Sequence, residues 1–197
     1  MSNVKSALLV GVGGQGAILI SKIMSAGFMK AGYDVKQSEV HGMAQRGGSV
    51  VSHVRIGEGA YSPLIAKGCA DAIIAFEPAE AVRAFPYLKK GGSVTVSSSP
   101  VKPVTDSLAD KPYSADDMIK FLEKQDIRLT VVDGGEIIRE AGSAKSLNAA
   151  LIAAACASGA VPFSVEEIEN VVRNELKAEY AESNLRAIAA GARAVLG

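Results

Sequence analysis

The sequence predicts an α/β protein of three layers, a mainly parallel sheet between helices with a helical C-terminal part, and three observations carry that expectation. Short apolar runs alternate with helical periodicity, beginning with Ala7-Leu8-Leu9-Val10. Glycines crowd the first strand-to-helix junction, Gly11-Val12-Gly13-Gly14-Gln15-Gly16. The last third of the chain reads as helix almost throughout. With 197 residues the chain has the size of one large domain, so a single domain over 1–197 is expected.

Each element has its own signal. From Gln15 the pattern turns helical, with Ile20, Ile23, Met24, Gly27 and Ala31 on one face and Gly32 as the stop. Tyr33–Glu39 reads as a second strand that completes a β-α-β opening. His41–Gly48 is a polar, glycine-containing loop. Ser49–Ile56 is a strand with Val50, Val54 and Ile56 on one side and Ser49, His53 and Arg55 on the other. Ala72–Phe76 is a buried strand, and Pro78 opens a helix over Ala79–Phe85, a place where proline is tolerated. Ser93–Val96 and Leu129–Val132 are further strands. Between them a helix starts at Ser114, with Met118, Phe121 and Leu122 as its apolar face. Ser99–Pro112, with three prolines, is an irregular excursion. Ser146–Ala157 is apolar nearly all round and therefore buried. Ser164 with Glu167 forms a capping-box signal for the helix carrying Ile168, Val171, Val172 and Leu176, and a last helix covers about Ala181–Val195.

Composition narrows the function. Lysines and arginines number 21, as do the acids, so the chain lacks the positive field of a general nucleic-acid binder. Tryptophan is absent and aromatics are 5%, too few for a base-stacking surface. Cys69 and Cys156 are isolated in apolar surroundings, the pattern of buried structural thiols, and form no cluster or zinc spacing. The N-terminus moves directly into a strand without a signal-peptide pattern. The longest apolar stretch, Ala149–Phe163, is broken by Ser158 and Gly159. A cytoplasmic protein without membrane spans is expected.

Two constellations could carry chemistry. In the Gly11–Gly16 turn, Gly11 and Gly13 allow a tight bend, and Gly14 and Gly16 permit close approach to the helix N-terminus. Free N–H groups and the helix dipole favour an anion there. The spacing G-x-G-x-x-G is Rossmann-like and also suits plain packing of the turn. Dinucleotide binding further needs an acid at the end of the second strand, and Asp34 and Glu39 bracket that position without meeting it. The second constellation is Ser38-Glu39-Val40-His41-Gly42-Met43-Ala44-Gln45-Arg46-Gly47-Gly48-Ser49, which follows the carboxyl end of the second strand and holds Gln45, Arg46, Gly47 and Gly48. The glycine pair can expose backbone amides, and Arg46 offers a guanidinium fork for carboxylate or phosphate, or an ion pair with Glu39. His41 and His53 read as structural histidines. Glu136 and Glu140, a helical turn apart, read as a solvated face. No nucleophile elbow, Walker lysine or zinc spacing occurs, so the sequence assigns no catalytic residue. A solitary NAD-dependent oxidoreductase and a nucleotide-sensing module stay open as alternatives.

The Gly11–Gly16 turn together with Glu39-Val40-His41-Gly42-Met43-Ala44-Gln45-Arg46-Gly47-Gly48-Ser49 resembles the gamma-type domain of pyruvate and other 2-oxoacid:ferredoxin oxidoreductases. The His-Gly-Met-Ala-Gln-Arg-Gly-Gly wording is similar to the indolepyruvate type, and Lys145-Ser146-Leu147-Asn148 extends the likeness. The resemblance implies a non-redox subunit of a heteromeric enzyme that converts a 2-oxo acid to an acyl-CoA and reduces ferredoxin. It implies thiamine diphosphate, Mg and [4Fe-4S] clusters on a larger partner, a coenzyme A contact from this chain, and an isolated chain without activity. A homodimer is compatible with it.

Overall fold

The computed structural model describes residues 4–40, 44, 47–101 and 113–197, with side chains except those of residues 17–19 and 40. In chain order its elements are β1 (Lys5–Val12), α1 (Ala17–Lys30), β2 (Val35–Val40), β3 (Ser49–Ile56), β4 (Ala70–Ala75) and α2 (Pro78–Ala84). Then come β5 (Leu88–Ser97), α3 (Ala115–Glu123), β6 (Arg128–Val132), α4 (Gly134–Ala141), α5 (Leu147–Ala157), α6 (Val165–Glu175) and α7 (Ala178–Leu196).

Alternation along the buried strands splits the core into two clusters. From β1, Ala7 and Leu9 face α1 and α4 to α7, whereas Leu8 and Val10 face α2 and α3. The result is the expected three-layer α/β arrangement. The sheet order is β2-β3-β1-β4-β5-β6. β1, β4, β5 and β6 pair in parallel, and β3 runs antiparallel to both β1 and β2. The β-α-β opening is therefore modified: β2 points the same way as β1, but β3 lies between them and takes the hydrogen bonds that a simple crossover would give to β2.

Local chemistry accounts for the helices. Ser114 and Asp133 cap α3 and α4 by accepting the N–H groups of Asp117 and Glu136. Ser164 and Glu167 form both halves of the expected capping box at α6. In α5, ten residues from Leu147 to Cys156 are buried, because the sheet covers one side and α7 the other. A Cβ on Gly191 of α7 would stand 2.1 Å from the carbonyl oxygen of Ala150, so the two helices approach backbone to backbone. The structure also shows α4, whose opening Gly134-Gly135 conceals it from periodicity, and α7 begins at Ala178, ahead of the sequence expectation. Most of the proline-containing excursion falls outside the described residues.

Candidate functional site

β1 brings the chain to the carboxyl edge of the sheet, where α/β proteins bind ligands. Gly13-Gly14-Gln15-Gly16 then turns it into α1. Gln15 holds that turn from inside: its Oε1 accepts the Val12 N–H at 2.7 Å, and its Nε2 donates to the carbonyl of Phe76 at 3.0 Å, just beyond β4. From the other side Asn148 Nδ2 donates to the Gln15 carbonyl at 2.7 Å. Gly16 is the N-cap of α1 with φ 79°, a left-handed conformation, and supplies no side-chain cap. The first turn of α1 has no acid to neutralise the dipole.

Next to the turn opens a cleft of about 550 Å³. Its walls include Gly14 to Gly16, Ser99 to Val101, and Lys145 with Asn148 at the start of α5. Gly14 is exposed, has φ 100°, and a Cβ there would meet nothing within 4 Å, so the turn is accessible to a ligand. A slot of about 310 Å³ shares Gly16, Lys145 and Asn148 with the cleft and continues between Ile20, Ile23, Leu176 and Tyr180. The arrangement offers an anion a helix N-terminus and one ammonium group, with an apolar extension beside them.

The sequence-predicted residues divide. Gly14 and Gly16 face the cleft, whereas Gln15 sends its carboxamide inward and offers it no side chain. Gly11 belongs to β1 and is buried; its missing Cβ leaves room for Gln15 Oε1 and the ring of Phe76. The Gly13 N–H is spent on the carbonyl of Gly48 at 2.8 Å, and the Gly48 N–H on that of Ala44 at 2.8 Å. The second glycine pair thus braces the first turn, and the expectation that Gly48 exposes its amide to an anion is corrected. Gly47 is exposed with φ 88°. Gln45, Arg46 and His41 lie outside the described residues. Lys145 and Asn148 are the site residues that sequence reasoning did not single out as such; their only signal was the Lys-Ser-Leu-Asn wording.

Among the described residues neither acid that brackets the end of the second strand meets the turn, as a dinucleotide would need. Asp34 precedes β2 at the opposite edge of the sheet and pairs with Lys36 at 2.5 Å. Glu39 pairs with Lys22 at 3.5 Å and accepts from Gln37, on a strand that β3 separates from β1. Of the cysteines, Cys156 is buried as expected and burial, with a smaller effect of Glu167, pushes its thiol up to about 12. Cys69 is exposed, contrary to expectation, because it sits in the turn just before β4 and not within an element. Two thiols so placed do not fit the four-thiolate shell of a [4Fe-4S] cluster. Among the described residues no three His, Cys, Asp or Glu side chains gather as a metal site, and no helix is long and apolar enough to cross a membrane.

At the same edge Glu77, 2% exposed, caps α2 by accepting the Glu80 N–H at 3.1 Å, and Tyr113 donates its hydroxyl to the same carboxylate. Burial raises the Glu77 carboxyl above its ordinary range against the opposing hydrogen bonds.

A glycine turn, a second glycine loop bound to it through β3, and no acid for a ribose among the described residues together set this α/β domain apart from a classical dinucleotide fold. The comparisons agree. Residues 6–194 match the family model described as pyruvate ferredoxin/flavodoxin oxidoreductase. The chain is 36% identical over 189 residues to indolepyruvate oxidoreductase subunit IorB of Thermococcus kodakarensis, covering 95% of this chain and 94% of that one. It is 40% identical over 186 residues to the IorB subunit of Archaeoglobus fulgidus, covering 93% and 92%. The keto/oxoacid ferredoxin oxidoreductase gamma subunit of Geobacter sulfurreducens superimposes with a TM-score of 0.70 at 25% identity, over 98% of each chain. The chain belongs to the pyruvate ferredoxin/flavodoxin oxidoreductase family, and its likeness runs the whole length of these small subunits.

Proposed function

We propose that this chain is the non-redox small subunit of a heteromeric 2-oxoacid:ferredoxin oxidoreductase of the indolepyruvate type, acting in the cytoplasm. The observation that carries the reading is the cleft between the Gly14–Gly16 turn and Lys145–Asn148, a place for an anionic ligand that among the described residues is lined by no thiol, carboxylate or imidazole. In the complete reaction a 2-oxo acid loses CO2, its acyl group passes to coenzyme A, and two electrons pass to ferredoxin. The electron sink and carriers, thiamine diphosphate with Mg and [4Fe-4S] clusters, belong to a larger partner subunit in this reading.

The role of this chain's own residues is positioning. Gln15 and Asn148 fix the turn, and Lys145 with the α1 N-terminus holds a phosphate of coenzyme A; Arg46 supplies a guanidinium for a carboxylate or phosphate. The partner surface is extensive and apolar at its centre, as obligate subunits require.

Reconstitution tests this. The purified chain alone should be colourless and without turnover of indolepyruvate, and activity should appear when the large subunit is added. Oxidation of a 2-oxo acid by this chain with the large subunit shown to be absent would overturn the assignment.

A further inference from the structure

We propose that a groove on the α2–α3 side of the sheet, separate from the glycine-turn cleft, binds a small carboxylate carried on an apolar stem. The groove encloses about 350 Å³, between β1 and β3 on one side and the end of α2 on the other. That volume lies at the small end of ligand pockets and suits a single ring or a branched alkyl group.

His53 is the built feature of this groove. It lies on β3, is 6% exposed, and lines the groove. Its Nδ1 accepts the Ile65 N–H at 3.2 Å, and burial lowers the affinity of the ring for a second proton. The neutral ring therefore carries its proton on Nε2. Among the described residues no hydrogen bond from that N–H is present, so the ring offers the groove an available donor.

The charges select the acceptor. Glu80 lines the groove but is committed, accepting from the Ser49 hydroxyl and pairing with Arg83 Nε at 3.2 Å. Lys67 at the rim has no acid partner among the described residues and leaves the groove net positive. Val51 and the ring of Tyr87, set edge-on to His53 at 6.2 Å, form apolar walls. One neutral donor, one ammonium group and apolar walls match a monoanionic carboxylate better than a phosphate, which seeks clustered amides.

The groove also touches the glycine turn. Ser49, which donates to Glu80, stands opposite Val12 in the β1–β3 register and follows Gly48, the acceptor of the Gly13 N–H. The Ser49–Glu80 hydrogen bond therefore joins one wall of the groove to the strand end that braces the turn. The inference is independent of the proposed enzymatic role.

Titration of the full chain with phenylacetate, followed by amide NMR, tests it. Shifts are expected at His53, Lys67 and Tyr87, with smaller ones at Gly13 and Gly48. Lys67→Glu should weaken binding about tenfold or more, and phenylacetamide should bind weaker than phenylacetate by a similar factor, as the loss of a charge-assisted contact requires. His53→Phe should abolish binding; should that variant fail to fold, the exposed Lys67 substitution and the amide still decide. No response to millimolar phenylacetate, equal binding of acid and amide, or shifts confined to Gly14, Lys145 and Asn148 would each overturn the proposal.

Discussion

Replacing Gly16 by alanine probes the turn most directly. Gly16 has φ 79°, and a Cβ there would stand 2.8 Å from Asn148 Nδ2. The left-handed conformation costs a non-glycine residue about 1–2 kcal/mol. Asn148 must also give way, weakening its 2.7 Å hydrogen bond to the Gln15 carbonyl, and such a bond is worth about 1 kcal/mol. Together these give about 2–3 kcal/mol, or a fall in Tm of roughly 5–10 °C for a chain of this size. Urea unfolding followed by circular dichroism reads the difference. The decisive comparison is a double-mutant cycle with Asn148→Ala. That variant has already lost the bond and the obstructing amide, so adding Gly16→Ala should cost only the conformational part, leaving a coupling of about 1 kcal/mol. Gly14→Ala is the control: φ is 100° but the space is open, so its cost should be conformational and unchanged by Asn148→Ala. Additivity of Gly16→Ala and Asn148→Ala within roughly 0.3 kcal/mol would refute the close contact between the turn and α5.

Other consequences follow from the same structure. Under native conditions a thiol reagent should modify the exposed Cys69 quickly, and Cys156, buried with its thiol pushed up to about 12, only on unfolding; rapid reaction of both would contradict the packing of α5. Because the folded pKa of Glu77 is raised, its ionisation costs stability above that pKa, and the cost disappears as pH falls through it toward the unfolded value. The stability of Glu77→Gln relative to the parent should therefore rise with pH through the range just above ordinary carboxylates, and a pH-independent difference would remove the desolvation argument. Gly191→Ala, with its Cβ 2.1 Å from the Ala150 carbonyl, should destabilise by at least about 1–3 kcal/mol or prevent folding, read by soluble yield and urea midpoint. In the assembled enzyme Arg46→Ala should reduce activity about tenfold or more with little change in this subunit's unfolding midpoint, whereas equal losses would mark Arg46 as a structural ion-pair residue.

Elements with local signals were legible. The Ser164–Glu167 box, the Ser114 cap and the all-round apolar α5 each depend on residues within a turn or two of one another, and each stands where the sequence places it. The site was legible only in part. The glycine turn has a local signature, but the wall facing it does not: Asn148 reaches the Gln15 carbonyl across 133 positions, and nothing near either residue announces the partner. The Gly48 amide, expected to face an anion, donates instead to the carbonyl of Ala44 four residues earlier, a turn that the glycine pair alone does not announce. Cys69 shows the limit of composition, because an apolar neighbourhood in sequence did not bury a residue that lies in a turn.

The position of β3 explains why a dinucleotide-like glycine pattern leads elsewhere. When the second strand of a β-α-β unit pairs directly with the first, its carboxyl end brings an acidic side chain to the ribose beside the turn. Here β3 occupies that place and runs the other way, so it presents its amino end, Gly47-Gly48-Ser49, to the turn. What reaches Gly13 is consequently a backbone carbonyl and not a carboxylate. The antiparallel strand thus replaces an acid suited to hydroxyl groups with a backbone carbonyl from a glycine pair, while the glycine spacing itself stays the same.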